Sequence, residues 1–410
     1  MILHDLNQAA VLAFLLVLTL LLCRRILTTS QTSVAALPPP EGAGNGKTYR
    51  IRGVPITCDK VRLQSFMDTQ NGYTNPVVWS LATEAHGRSQ TATVTFRHGT
   101  KPPKTLRGSL QPGGEDQPLI IDDDFLGLTT LFAPTQEDHK GNIIAIPGLG
   151  GHAFGSFKER GGQHMWLRDA LLYHILSEHT DHPIARVITY GYESAVANSN
   201  SIQNLEDLAT YLKKAKPLIL VAHSLVGLIV KQALITLASS TAEDQQKAAR
   251  AIYGIVFFGV PHDGMDISSL ILMVGDGTNR ELIGTISQLN SQVLSMQQRD
   301  FRKALGAEGN TEIFCFYETE QSPTAQKDRH RGWRMDGPKA ILVTKSSATH
   351  CRPWEDGPEQ ICAINRSHSN MVKFGSEDPE YERTLQRLQG LANRALGVQS
   401  RLWDENTKCM

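Results

Sequence analysis

The spacing of apolar residues changes character several times along the chain. Residues 9–23 are an uncharged apolar run closed by Arg24 and Arg25, and residues 28–48 turn to Thr, Ser, Pro and Gly, including Pro38-Pro39-Pro40. From Tyr49 apolar and polar residues alternate as in a strand, followed by a mixed, helix-compatible stretch to Met67 and strand-like runs at 77–81 and 91–96. Residues 97–118 return to Pro, Gly and charge. Beyond them short apolar runs near 142–147, 185–190, 217–222, 252–259, 311–317 and 340–344 read as strands. Helical spacing separates these runs, most clearly at Leu205, Leu208, Ala209 and Leu212 behind Ser201 as N-cap, and a last helix is expected near 378–392.

Strands alternating with helices predict an α/β domain with a mostly parallel, doubly wound sheet over residues 119–395. Before it the pattern places an anchor over 1–27, a flexible linker over 28–48, a small α+β module over 49–97 and a linker or loop over 98–118; a tail over 396–410 follows. The run at 9–23 is shorter than the ~20 residues a spanning helix prefers, so a cleaved signal peptide and a buried helix are its alternatives. Asp5 and no Lys or Arg precede it, and two arginines occupy the place of a small-residue cleavage site. Positive charge stays cytosolic. The expectation is an uncleaved anchor in the endoplasmic reticulum or mitochondrial membrane, with the large domain facing the cytosol.

Charge removes several function classes. Lys plus Arg equals Asp plus Glu at 41 each, so no net field recruits nucleic acid or an acidic partner. The β-α-β-β order of the small module is that of RNA-recognition folds, but paired aromatics on a basic face are missing, and nucleic-acid binding is not expected. The six cysteines contain no C-x-x-C pair, and the spacing of Cys351, Cys362 and His368 does not match a zinc knuckle, so no metal is expected. The glycine run at 146–151 lacks the Lys-Ser/Thr ending of a phosphate loop and no G-x-G-x-x-G occurs, so no nucleotide is expected and no cofactor is assigned.

The chemistry gathers at 217–230, Pro-Leu-Ile-Leu-Val-Ala-His-Ser-Leu-Val-Gly-Leu-Ile-Val. A buried strand stops at Ser224, and helical spacing follows through Val230, Ala233, Leu234 and Leu237. Such a turn exposes its hydroxyl at the carboxyl edge of the sheet and leaves the Leu225 N–H at a helix start, where an oxyanion is stabilised. By itself the turn fits a serine N-cap equally well. Three other strand ends supply the partners that a serine nucleophile needs. Ile146-Pro147-Gly148-Leu149-Gly150-Gly151 suits an oxyanion loop through the Leu149 and Gly150 amides; His368, among polar residues after the last strand, is the candidate base; Glu318, ending the strand at 311–317, is the candidate acid, with Glu320 its nearest substitute. The chain order Ser224, Glu318, His368 is that of α/β-hydrolases. His223 should face away from the serine.

Pro147-Gly-Leu-Gly-Gly-His-Ala-Phe-Gly-Ser-Phe, Met165-Trp-Leu-Arg-Asp, Thr189-Tyr-Gly-Tyr, Ala222-His-Ser-Leu, Phe257-Phe-Gly-Val-Pro-His and His368-Ser-Asn-Met-Val-Lys-Phe together resemble the fungal serine esterases. These are lipase-like α/β-hydrolases related to the serine-active-site-containing protein and, more distantly, to the GPI inositol-deacylase. The resemblance spans about 119–392 and implies an α/β-hydrolase fold with Ser224 as nucleophile and His368 as base. Two positions depart from the family's Gly-His-Ser-Leu-Gly-Gly: Ala222 before the turn is a mild change, whereas Val226 stands two residues after the serine, where a branched side chain is expected to widen the turn. The expected function is a membrane-anchored serine esterase or lipase acting on a lipid or other ester. A catalytically impaired scaffold is the alternative that Val226 motivates. On this reading Val226→Gly raises activity, and His368→Ala abolishes it with the melting temperature nearly unchanged.

Overall fold

The computed structural model describes residues 46–70, 76–96, 102–110, 116–148, 151–177, 182–192, 216–266, 291–305, 311–324, 326–328, 332–334, 336–351, 357 and 359–408. The expected anchor at 9–23, most of the first linker, and the helix expected around Leu205–Leu212 lie outside these residues. Among the described residues no helix is long and apolar enough to cross a membrane.

The large sheet has seven strands: β6 (Gly127–Phe132), β7 (Gly141–Ile146), β8 (Ala185–Gly191), β9 (Leu218–His223), β10 (Ile252–Phe258), β11 (Glu312–Glu318) and β16 (Ile361–Ile364). Their spatial order is β16-β11-β10-β9-β7-β8-β6. All neighbours run parallel except β6, which pairs antiparallel with β8. This mixed sheet, covered by helices on both faces, is a mostly parallel α/β sheet of the kind the alternating pattern predicts.

Burial on both faces explains the unbroken apolar strands. Along β9, Leu218, Leu220 and Ala222 enter one core with Val226, Leu228 and Val230 of α3 (Val226–Ser239) and Phe301 of α5 (Gln292–Ala304). Ile219 and Val221 point the other way, into a core with Trp166 of α2 (Trp166–Asp169), Phe374 and Leu388 of α7 (Pro379–Lys408). The strand order reverses direction between β9 and β7, and an α/β sheet opens a crevice at the carboxyl ends of such neighbours. Ser224 and Gly148 lie at these two ends.

The expected strand at 340–344 is not part of the large sheet. Its first residue closes a short bridge, β12 (Ser322–Pro323) with β15 (Lys339–Ala340), while Leu342 and Val343 turn their amides onto a side chain of the site. Near it, β13 (Gln326–Asp328) and β14 (Gly332–Arg334) form a small hairpin. The seventh strand is β16, four residues long and too short to carry a period. The terminal helix α7 runs on to Lys408, through most of the expected tail.

The small module is a five-stranded antiparallel sheet, β2-β3-β1-β5-β4, from β1 (Thr48–Val54), β2 (Val77–Thr83), β3 (Gln90–Thr95), β4 (Thr105–Gly108) and β5 (Gln117–Asp122). Helix α1 (Lys60–Thr69) buries Leu63 and Met67, and Asp59 caps it through the Arg62 N–H. The segment read as a linker at 98–118 thus contributes β4 and the start of β5, which pairs with β1 in the register Ile51 to Ile121. Pro118 at the strand's beginning, with Pro112 and Pro102 before it, masked the alternation in the sequence.

Arg50 couples the small module to the large domain. Its guanidinium pairs with Asp122 at 3.0 Å and donates to Thr129 Oγ1 at 2.7 Å and Leu126 O at 2.9 Å. Arg168 of α2, paired with Asp169, lies over the Trp79 ring at 4.7 Å.

Candidate active site

At the end of β9 the backbone of Ser224 takes φ 59°, a left-handed conformation that costs a serine energy and is held by its neighbours. The Ser224 N–H donates to Phe258 O at 2.8 Å, tying the turn to β10, and the Gly227 N–H donates to Ser224 O at 3.0 Å as α3 begins. No side chain caps α3, so the positive end of the helix faces the serine's surroundings. Leu225 occupies this helix start.

His368 lies across the sheet edge. Its Nε2 is 2.9 Å from Ser224 Oγ, and its Nδ1 is 2.5 Å from Glu318 Oε2. A carboxylate only accepts, so Nδ1 carries the proton and Nε2 accepts from the serine hydroxyl. Glu318 closes the row from a fully buried side chain at the end of β11. Its other oxygen, Oε1, accepts the Leu342 N–H at 2.7 Å and the Val343 N–H at 3.3 Å. Three donors thus fix the carboxylate. Glu320, the substitute considered from sequence, is exposed two residues further on.

Several supports were not legible in the sequence. The His368 N–H donates to Ser322 Oγ at 3.0 Å, and His223 Nε2 lies 2.9 Å from His368 O. Because a carbonyl only accepts, this His223 nitrogen donates. His223 therefore turns away from the serine, as expected, but toward the backbone of the histidine, with the two rings 5.1 Å apart. Gly259, at φ 55°, passes directly behind the His368 ring; a Cβ there would sit 3.1 Å from Cε1 and Nδ1 and 2.8 Å from Met371 Sδ. Only glycine combines that φ with that clearance. Trp166 holds the far side of the histidine loop, donating from Nε1 to Val372 O at 3.0 Å.

Of the expected oxyanion residues, Leu149 and Gly150 lie outside the described residues. The loop that leads to them starts against the serine: a Cβ on Gly148 would stand 2.9 Å from His223 Nδ1 and 3.1 Å from Ser224 Cβ. Tyr192 Oη donates to Pro147 O at 3.1 Å and steadies this loop from the end of β8.

Val226 does not widen the turn. Its side chain is buried in the core beside Ala222, Leu228 and Val260. The closest approach falls one residue later, where a Cβ on Gly227 would meet Val260 Cγ2 at 2.3 Å. Glycine is thus present where the neighbouring segment demands it, and the residue that motivated a scaffold sits in ordinary packing. Val226→Gly is now expected to leave esterase activity unimproved and to destabilise the protein by about 2–4 kcal/mol, from the lost buried side chain and a glycine in the first helical turn. A melting curve alongside ester turnover measures both; a tenfold rise in activity would mean that the valine strains the elbow.

Burial makes the large domain acid-sensitive. It pushes His223 down to about 3, with the facing His368 adding to the effect, and pushes His139, below β7, down to about 4. Both folded values lie below the ordinary histidine value of about 6.5, so the unfolded chain binds protons first. Their contribution to stability is complete above pH ~6.5 and is lost as pH falls through about 4 and about 3. Thermal melts should therefore drop between pH 7 and 5, and His223→Gln, which keeps a donor but cannot titrate, should flatten the decline. An equally steep decline in that variant would remove His223 from the account.

No protein-family model matches the sequence, and no curated protein matches it. Among solved structures the chain is similar to phospholipase PlaB from Legionella pneumophila, at 12% identity over 66% of this chain and 64% of that one, with a TM-score of 0.39. It is similar to a soluble variant of monoglyceride lipase from Saccharomyces cerevisiae, at 9% identity over 72% and 96% of the two chains, TM-score 0.35. A third is the RedJ thioesterase of Streptomyces coelicolor, at 14% identity over 63% and 92%, TM-score 0.32.

Proposed function

We propose that this protein is a membrane-anchored serine hydrolase of carboxylic esters, lipid esters foremost. The observation that carries the reading is the continuous hydrogen-bonded row from Ser224 through His368 to Glu318, built on a serine held in a left-handed turn. The resemblance of the surrounding motifs to the fungal serine esterases supports it.

In this reading Ser224 Oγ attacks the ester carbonyl while His368 Nε2 takes the hydroxyl proton. Glu318 stays ionised and stabilises the imidazolium through Nδ1. The tetrahedral oxyanion is received at the Leu225 amide and at those of Leu149 and Gly150, a place where aimed dipoles stabilise developing charge. Collapse expels the alcohol, which takes the proton from Nε2 and leaves an acyl group on Ser224. Water, deprotonated by the same nitrogen, then frees the acid and restores the serine. No metal or cofactor enters these steps.

Lipid esters are preferred because residues 9–23, with Arg24 and Arg25, would hold the site close to a bilayer of the endoplasmic reticulum or mitochondrion. Two measurements test the proposal. The full chain should turn over a short-chain p-nitrophenyl ester; folded protein without turnover of this or any vesicle-borne ester would contradict an esterase. It should also resist carbonate extraction, while protease added to intact organelles digests the hydrolase domain; a protected domain would reverse the orientation.

A further inference from the structure

A polar cluster unrelated to ester chemistry lies in the core beside β11. His262 follows β10, Cys315 sits in the middle of β11, and Cys351 comes just after α6 (Lys345–Thr349). The three residues are 1%, 3% and 2% exposed. One potential ligand atom from each lies within 4.8 Å of the others, and Cys315 Sγ is 4.0 Å from His262 Nε2. A bound ion with nitrogen at ~2.0 Å and sulfur at ~2.3 Å sets those two atoms about 3.5 Å apart in a tetrahedral site and about 3.7 Å in a trigonal one. The Cys315–His262 pair therefore closes by a few tenths of an ångström, and the widest pair, within 4.8 Å, by up to about 1 Å.

The surroundings already orient them. His262 Nδ1 lies 3.5 Å from Lys231 Nζ and Nε2 is the ring nitrogen on the side of the thiols; with an ion on Nε2 the imidazole proton sits on Nδ1 and donates to the lysine amine. Lys231 Nζ donates to Gln298 Oε1, and Gln298 Nε2 donates to His350 O at 2.7 Å and to Cys351 O. The Phe257 ring packs edge-on to the imidazole at 4.8 Å, and Phe301 lies under Lys231 at 5.1 Å, so apolar walls keep the place dry. The His262 backbone is itself pinned, its N–H donating to Ser347 O at 3.1 Å.

We propose that His262 Nε2, Cys315 Sγ and Cys351 Sγ bind a thiophilic d10 cation, zinc(II) or copper(I). On binding, the two thiols release their protons and two metal–sulfur bonds and one metal–nitrogen bond form, with no change of oxidation state. Two thiolates neutralise zinc(II); with copper(I) they leave the site one negative charge. Sequence spacing concealed the site because its donors are 53 and 36 residues apart along the chain and meet only through the sheet. The ion would bridge the two segments that hold the candidate acid. Cys315 is three residues before Glu318 on β11, and Cys351 belongs to the segment whose Leu342 and Val343 amides bind its carboxylate.

The full chain, purified without a metal-affinity tag or chelator, should carry about one equivalent of zinc or copper by mass spectrometry of the elements, and that measurement separates the two. Cys315→Ser/Cys351→Ser should lose it, and Cys58→Ser/Cys362→Ser should keep it. Stripping the wild type with a zinc or a cuprous chelator should lower its melting temperature by about 5 °C or more. Should the double variant not fold, wild-type protein stripped and titrated with cobalt(II) still decides: a thiolate-to-cobalt charge-transfer band that zinc or copper erases supports the site. Wild-type protein that neither carries a metal nor shows that band, or a folded double variant that keeps its ion, would overturn it.

Discussion

His368→Ala should reduce ester turnover by about 10⁶-fold, to the residue that oxyanion stabilisation and binding alone supply. No other described group stands in hydrogen-bond distance of Ser224 Oγ as a base. His223, the neighbour in sequence, is engaged with the His368 carbonyl and held neutral by burial, down to about 3. The substitution also has a structural cost that the sequence concealed. Glu318 is fully buried, and alanine removes one of its three donors, leaving the Leu342 and Val343 amides to hold the charge. An unpaired buried acceptor costs about 1–3 kcal/mol, so the melting temperature should fall instead of staying unchanged. Turnover within a few-fold of wild type, in protein shown to be folded, would exclude His368 as the base.

Glu318→Gln isolates the acid's role with far less loss of stability. The amide keeps the shape, and its oxygen can still accept from Leu342 and Val343. Its NH2 group then faces His368 Nδ1, which must accept, so the imidazole proton moves to Nε2. That nitrogen can no longer take the serine's proton. A wrong tautomer of this kind costs about 10⁴-fold in turnover. Ester kinetics at neutral pH, with a melting curve as control, measure it; a loss of less than tenfold would mean that the carboxylate orients the histidine without deciding its tautomer.

How much of this was legible follows from which interactions are local. The β9 strand and its turn could be read because four apolar residues, a serine and a change of period lie within one short stretch. Glu318 was legible for a related reason: it ends a buried apolar strand, where a charge must have a partner. The run at 340–344 misled because its apolar residues are buried without being a strand of the large sheet; their backbone serves a carboxylate over twenty residues earlier, and periodicity carries no record of that. Val226 misled for a geometric reason. The family motif carries glycine at both the second and third positions after the serine; the chain keeps the third, Gly227, and that is where Val260 crosses α3. Gly259 and Ser322 act on His368 only through the folded chain, so nothing near the histidine in sequence announces them.

The most direct test of the central claim, that Ser224 is an activated nucleophile, is covalent labelling of the full chain by a fluorophosphonate, read by intact mass and by peptide mapping. One adduct per chain is expected, on the peptide that carries Ser224, formed within minutes at neutral pH and absent from Ser224→Ala. Folded wild-type protein that stays unlabelled, or an adduct that maps to another residue and persists in Ser224→Ala, would contradict it.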